Sequence, residues 1–357
     1  MQVLSNRELL SDILDFQSGV CYQVRPFLHS YKMLSMGVTM TLANQFVADA
    51  QGLSNMERLH RHSQRRQVRD MSLKKQEDLL VQAIDMFGTQ FLRRVLLSDP
   101  HLLGPSFLHL SIELGLLQVV EFYHAYIPTS FSVSAMDIAA THGHLRIVQF
   151  LHSHRTEGCT TVAMDRAAAN QHFALLRWLH TNRTEGCTVD AMNSAAARGW
   201  LQGVEWLHQN RTEGCTTAAM DKAARHGHLE VVKWLHANRN EGCTTGAMDG
   251  GAQSGHYHIV EWLHANRTEG CTIEAMDRAC ESGHLDVVRF LGTYRHEGWS
   301  AYAMAAAIRN DHLEIVKYLH EEKRVAFPPM HVNSTYSADM LSYIQSRRRR
   351  RAIASNL

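Results

Sequence analysis

Hydrophobic and polar positions follow one schedule from residue 104 to residue 327. A short stretch dominated by Ala and Met ends at a glycine. A second stretch follows in which Leu, Val, Ile and one aromatic residue recur at intervals of three and four, and a polar loop closes the copy. The cleanest copy, Thr216 to Cys243, reads TTAAMDKAARHGHLEVVKWLHANRNEGC. Intervals of three and four place apolar side chains on one side of a helix. Each copy therefore predicts two helices: a small-residue one over AMDxAA, and a second over HLEVVKWLHAN with Leu229, Val232, Trp234 and Leu235 on its apolar stripe. The Ala-Met pair falls at Ala135-Met136, Ala163-Met164, Ala191-Met192, Ala219-Met220, Ala247-Met248, Ala275-Met276 and Ala303-Met304, always 28 residues apart. Phe107-Leu108 holds the same register in a degenerate copy that precedes them. A fixed period of this size predicts an all-α helical-hairpin solenoid, in which a copy buries its apolar face only against its neighbours. The eight copies are 104–131, 132–159, 160–187, 188–215, 216–243, 244–271, 272–299 and 300–327.

The ends of each helix carry their own signals. Ser132, Thr160, Thr188, Thr216, Thr244, Thr272 and Ser300 share one register just ahead of the first helix, where a hydroxyl accepts from orphan backbone N–H groups. Gly143, Gly199, Gly227, Gly255 and Gly283 stand where that helix must stop, and a glycine enters the left-handed region without strain. Gly158, Gly186, Gly214, Gly242, Gly270 and Gly298 end the return loop.

At these residues the unit resembles an ankyrin repeat. The family pattern TPLHxAAxxGHxxVVxxLL maps without gaps onto xAMDxAAxxGHLxVVxWLH, and His109 keeps the family's histidine. In the other copies Asp137, Asp165, Asp221, Asp249 and Asp277 replace that histidine, and the unit is about five residues shorter than the usual 33. The shortfall lies in the loop NRTEGC, so the family's β-hairpin finger is expected to shrink to a short turn. The resemblance implies a non-enzymatic scaffold that binds a protein on the concave face formed by the first helices, without a cofactor.

Composition bears on this picture mainly by what it excludes. The net charge of +1 names no partner. Of seven cysteines, Cys159, Cys187, Cys215, Cys243 and Cys271 form a ladder, with Cys21 and Cys280 apart from it. Stacked copies place equivalent atoms about 10 Å apart, beyond the ~7 Å Cα limit of a disulfide. Free buried thiols are therefore expected, as in a reducing compartment. The same spacing disposes of a metal site in the histidine ladders: His144, His172, His228, His256, His284 and His312, and His152, His180, His208, His236, His264 and His320. Ligands on one ion need bonds of ~2.1 Å. The aromatic ladder Phe150, Trp178, Trp206, Trp234, Trp262, Phe290 and Tyr318 lies among Leu and Val and is expected to be core. The aspartates occur once per copy, so they form no acid/base pair; they are expected to accept from loop amides or to pair with the Arg of NRTEG. The NRT sequons at Asn182, Asn210 and Asn266 follow from the repeated loop.

Residues 1–103 are not repetitive and predict a helical cap, with Ser5-Asn6-Arg7-Glu8 as a capping box. The run from Leu4 to Leu14 weakly resembles the opening of an F-box, LPxELLxxILxxL, with Ser5 in place of proline. That resemblance implies an alternative in which residues 4–28 recruit a ubiquitin ligase and the repeats select its substrate. No apolar run of signal-peptide or membrane-span length occurs, so a cytoplasmic or nuclear monomer is expected. Residues 51–78 are basic and expected to be an exposed, solvated segment, with a nuclear-import or acidic-partner patch as the other reading. The run Arg347 to Arg351 in the closing segment 328–357 is expected to be a disordered tail, with nuclear import or nucleic-acid contact as the other readings.

The partner face is expected at exposed first-helix positions. These are Arg166, Asn170, Arg198, Lys222, Arg225, His226, Gln253, Arg278, Glu281 and Arg309. Their identities vary while the frame around them is fixed. Six are Arg or Lys and only Glu281 is acidic, which points to an acidic protein segment and away from nucleic acid, membrane or small-molecule partners.

Overall fold

The computed structural model describes residues 103–328 and 336–354, together with Leu92, Arg93 and Leu96. The F-box-like residues 4–28 and the basic segment 51–78 lie outside the described residues. The chain divides into two compact units between Cys159 and Thr160. Among the described residues there is no strand.

Among the described residues the first unit holds two helical hairpins, α1 (Pro105–Glu113) with α2 (Leu117–Tyr126), and α3 (Val133–Thr141) with α4 (Leu145–His154). In the second unit the hairpins are α5 (Thr161–Ala169) with α6 (Phe173–Asn182), α7 (Val189–Ala197) with α8 (Leu201–Asn210), and α9 (Ala218–Arg225) with α10 (Leu229–Asn238). They continue as α11 (Thr245–Gln253) with α12 (Tyr257–Asn266), α13 (Ile273–Ser282) with α14 (Leu285–Tyr294), and α15 (Ala301–Arg309) with α16 (Leu313–Lys317). A π-helical turn, Tyr318–Glu322, extends α16, and α17 (Ala338–Ala354) closes the unit. Helices of this length are marginal alone, so packing supplies their stability. Gly227 and Gly283 end their first helices at φ 87°, and the return loops are short turns.

Small residues set the geometry of the second unit. Ala163, Ala167, Ala168, Ala195, Ala196, Ala223 and Ala224 are at most 1% exposed, and they let consecutive first helices approach closely. Second helices touch one another far more sparsely. That asymmetry bends the stack toward the first helices. The apolar core lies between the layers, in Met164, Met192, Met220, Met248 and Met276 and in pairs such as Val204–Leu207 and Val232–Leu235.

The same asymmetry corrects the expectation for the aromatic ladder. Phe150, Trp178, Trp206, Trp234 and Trp262 are only half-buried, whereas Phe290 and Tyr318 are buried. Spreading second helices leave room for a ring without covering it. Within the second unit the rings instead stand edge-on to a histidine of the preceding copy, with centroid separations of 5.2 Å for His180–Trp206, 5.3 Å for His208–Trp234 and 5.2 Å for His236–Trp262. Where the last copy has Tyr318, that histidine's register holds Gly292, and the phenol occupies the space a Cβ there would need.

Trp200 shows a similar exchange. It stands where other copies carry the loop histidine, and its ring lies against Gly203 in the following helix and edge-on to Phe173 at 5.7 Å. A Cβ on Gly203 would fall inside the ring's van der Waals envelope. Gly203→Ala is therefore expected to expel Trp200 and to change tryptophan emission. Overpacking of about 1–3 kcal/mol outweighs a helix-propensity gain of up to about 1 kcal/mol, so the urea midpoint should fall.

The arginine run is also corrected. Arg347 to Arg351 do not form an irregular tail but continue α17, whose root packs Met340 and Ile344 against the last repeat at 0% and 1% exposure. An unbroken backbone ladder and favourable placement of cations toward a helix C-terminus hold the run in register.

Candidate protein-binding face

The face is built from the junctions between copies. Asp165 Oδ1 accepts from the Thr188 amide and Oδ2 from the Thr188 hydroxyl, each at 2.8 Å. Thr188 Oγ1 in turn accepts from the Asp190 amide at 3.1 Å, capping α7. The arrangement recurs as Asp221–Thr244 and Asp249–Thr272, and as Asp277–Ser300, where the Asp is 4% exposed. Asn193 does the same work in its copy, its Oδ1 accepting from the Thr216 amide at 3.0 Å and its Nδ2 donating to the hydroxyl at 3.1 Å. Of the two roles expected for the aspartates, acceptance from loop amides is the one observed. Burial pushes the Asp165 and Asp249 carboxyls up, against the Thr hydrogen bonds that favour their charged forms.

The loop arginines are engaged elsewhere. Arg183, Arg211, Arg239, Arg267 and Arg295 each grip the glutamate two residues on, in their own copy. The Arg211 guanidinium holds Glu213 down at about 2, and Arg239 and Arg267 do the same for Glu241 and Glu269. In the three copies from Arg239 onward the guanidinium also reaches a histidine of the preceding copy, with Nη1 3.3 Å from Nδ1 of His208 and of His236 and 3.4 Å from that of His264. This loop edge is self-neutralised. The other histidine ladder reaches back to main-chain carbonyls, His312 Nε2 lying 3.0 Å from the Glu281 oxygen. Burial pushes His228 and His256 below the ordinary imidazole value of 6.5.

Cys187, Cys215, Cys243 and Cys271 are buried under these loops, 7–8% exposed, and Cys280 is fully buried. Burial raises their thiols to between about 11 and about 12. These thiols are thus neutral at pH 7, and a thiolate-seeking reagent such as Ellman's should leave all five unlabelled in the native protein within the time it titrates them in guanidinium. Rapid native labelling of any of the five would contradict the burial. Cys21 lies outside the described residues.

The variable first-helix positions are outward-facing. Arg166, Asn170, Arg198, Lys222, Arg225, His226, Gln253 and Arg309 are exposed. Arg166, Arg198, Lys222 and Arg225 form no salt bridge among the described residues, and Arg225 lies along α11 over Gly250, where a side chain would meet it. Arg278 and Glu281 behave differently. Arg278 pairs with Glu274 at 3.0 Å and with Glu281 at 2.8 Å, and the Tyr302 hydroxyl donates to Glu281. The Tyr302 hydroxyl and the Arg278 guanidinium hold Glu281 below the ordinary carboxylate range. Arg309 sits over the Tyr302 ring, 5.7 Å from its centroid. The unpaired positive charge therefore concentrates on α5, α9 and the C-cap of α7, and α13 spends its cation internally. Spacing of four between Glu274 and Arg278 announces that pairing in the sequence; the Tyr302 contact, between copies, has no local signal.

A family model for many copies of ankyrin repeats matches residues 131–180 and 192–236. One for three copies of ankyrin repeats matches residues 248–328. None of the curated proteins compared with it matches this chain. Among the described residues no helix is long and apolar enough to cross a membrane. Paired helices, glycine-terminated first helices and the matched segments agree over the array, and the chain is an ankyrin repeat protein.

Proposed function

We propose that the protein is a non-enzymatic interaction scaffold whose first-helix face takes an acidic segment of a partner protein. Ankyrin repeats are protein-interaction modules, and this reading names the chemistry of the partner. One contrast carries it: the loop arginines of the second unit are each held by a glutamate of their own copy, while Arg166, Arg198, Lys222 and Arg225 are exposed without one. Exposed cations left unneutralised along one strip favour an anionic partner and steer its encounter. The reading in which residues 4–28 recruit a ubiquitin ligase rests on residues outside those described.

Fluorescein-labelled peptides rich in Asp and Glu provide the test. They should bind more tightly than Lys-rich peptides of equal length, and binding should weaken steadily as salt rises from about 50 to about 300 mM. Reversing Arg198, Lys222 and Arg225 to Glu together is expected to reduce affinity at least about tenfold, since each screened surface contact is worth up to about 1 kcal/mol. Unchanged binding by a folded triple variant would remove this face from the reading.

A further inference from the structure

We propose that α17 is a docking helix for double-stranded nucleic acid, fixed at its root to the last repeat so that Arg348 to Arg351 enter a groove of the duplex. This does not depend on the first-helix face. The root is tied down by buried Met340 and Ile344, by the Ser337 hydroxyl donating to Asp311 at 2.6 Å, and by the Tyr343 hydroxyl donating to Glu321 at 3.0 Å. Arg347 also pairs with Glu321 and lies over Tyr343, so it belongs to the root. Past it the helix runs on to Ala354. Arg348 and Arg349 are exposed and have no acidic partner among the described residues. The helix's acidic residue, Asp339, is in its first turn, at the opposite end.

Helix geometry selects the partner. Successive positions turn by about 100°, so Arg348 to Arg351 are distributed over about 300° of the circumference. A flat surface, whether membrane or protein, meets one side of such a helix and leaves the other cations unpaired. A duplex major groove, about 12 Å wide, admits a whole helix and presents phosphates along both walls. Guanidinium groups pair with phosphate in bidentate geometry. Binding in the membrane interface requires a continuous apolar face, and Met340 and Ile344 are already spent on the repeat. Single strands are bound by aromatic platforms among the basic groups, and residues 345–354 contain no aromatic residue. Like charges one turn apart also repel within the helix, a cost that groove phosphates would remove.

The experiment uses the full chain and a fluorescein-labelled DNA duplex of about 20 base pairs, followed by anisotropy from about 50 to about 200 mM salt. Single-stranded DNA of the same sequence and vesicles of phosphatidylcholine with phosphatidylserine serve as rival probes. The wild type should prefer the duplex to both. Replacing Arg348, Arg349, Arg350 and Arg351 with Gln should weaken duplex binding at least about tenfold at physiological salt. It should also reduce the slope of log K against log salt by up to about 3.6, at about 0.9 for each phosphate no longer neutralised. Ser346→Pro keeps every arginine but breaks the helix in the last turn of the root, ahead of Arg348 to Arg351, and its affinity for the duplex should fall comparably. Tighter binding to vesicles or single strands, an unaltered quadruple variant, or a Ser346→Pro variant that binds like wild type would each overturn the proposal. The last would mean that charge acts without helical presentation.

Discussion

Asp277→Ala is expected to cost the array about 2–3 kcal/mol, whereas Asp277→Asn is expected to change its stability by less than about 1 kcal/mol. The carboxylate is 4% exposed and accepts both the amide and the hydroxyl of Ser300. Removing it strands two donors in a place with little water, and each unsatisfied buried donor costs about 1–3 kcal/mol. The hydroxyl also caps α15 by accepting from the Tyr302 amide at 3.0 Å, so its orientation goes as well. Asparagine is tolerated because the protein already uses one: Asn193 accepts from the Thr216 amide in the same way, and its Nδ2 donates to the hydroxyl with the direction of that bond reversed. Urea unfolding followed by circular dichroism compares the midpoints. Equal destabilisation in the Ala and Asn variants would show that charge, and not hydrogen bonding, secures the junction.

Leu235→Ala is expected to destabilise the protein more than Trp234→Ala, although it removes fewer atoms. Leu235 is 1% exposed between α9 and α10, and emptying such a site costs about 2–5 kcal/mol once the cavity is included. Trp234 is half-buried and rests edge-on against His208. Its truncation lets water in and should cost about 1–2 kcal/mol, an aromatic interaction plus part of its buried area. The position is central in the second unit, and nearest-neighbour coupling means that a lesion there weakens the link between flanking copies. The Leu variant should therefore broaden the urea transition as well as lower its midpoint. A greater effect in the Trp variant would put the aromatic ladder back in the core.

Periodicity makes the fold legible. Glycine positions locate the ends of first helices, and the Ser/Thr register locates their starts, because both are local requirements of the backbone. Burial of the tryptophans is not legible, for a geometric reason: period and spacing say which residues share a helix face, but not how far apart neighbouring helices stand. Small Ala side chains draw first helices together, and the second helices diverge as a result. The arginine run is opaque because composition records charge but not the anchor that precedes it; Met340, Tyr343 and Ile344 seat the helix in which the run continues, with Arg348 and Arg349 still exposed. The candidate face is legible as a set of variable positions. The match of Arg278 is legible in part, from its spacing of four to Glu274, but the hold of Tyr302 on Glu281 is not, since it crosses between copies.

The reach of each carboxylate into the following copy gives the array a direction of growth. Asp277 fixes the start of the last repeat, but in the last repeat the same register is occupied by Ala305. A methyl group cannot receive the amide and hydroxyl of another unit. In-frame duplication of a 28-residue segment of the coding sequence within the interior would regenerate complete junctions on both sides and yield a longer functional array. The same duplication placed after residue 327 would deliver a unit with nothing to secure it, in competition with α17 for the same apolar surface. Lengthening in this lineage is thus open from within and blocked at this edge, and a single alanine-to-aspartate change, with displacement of α17, is the step that would reopen it.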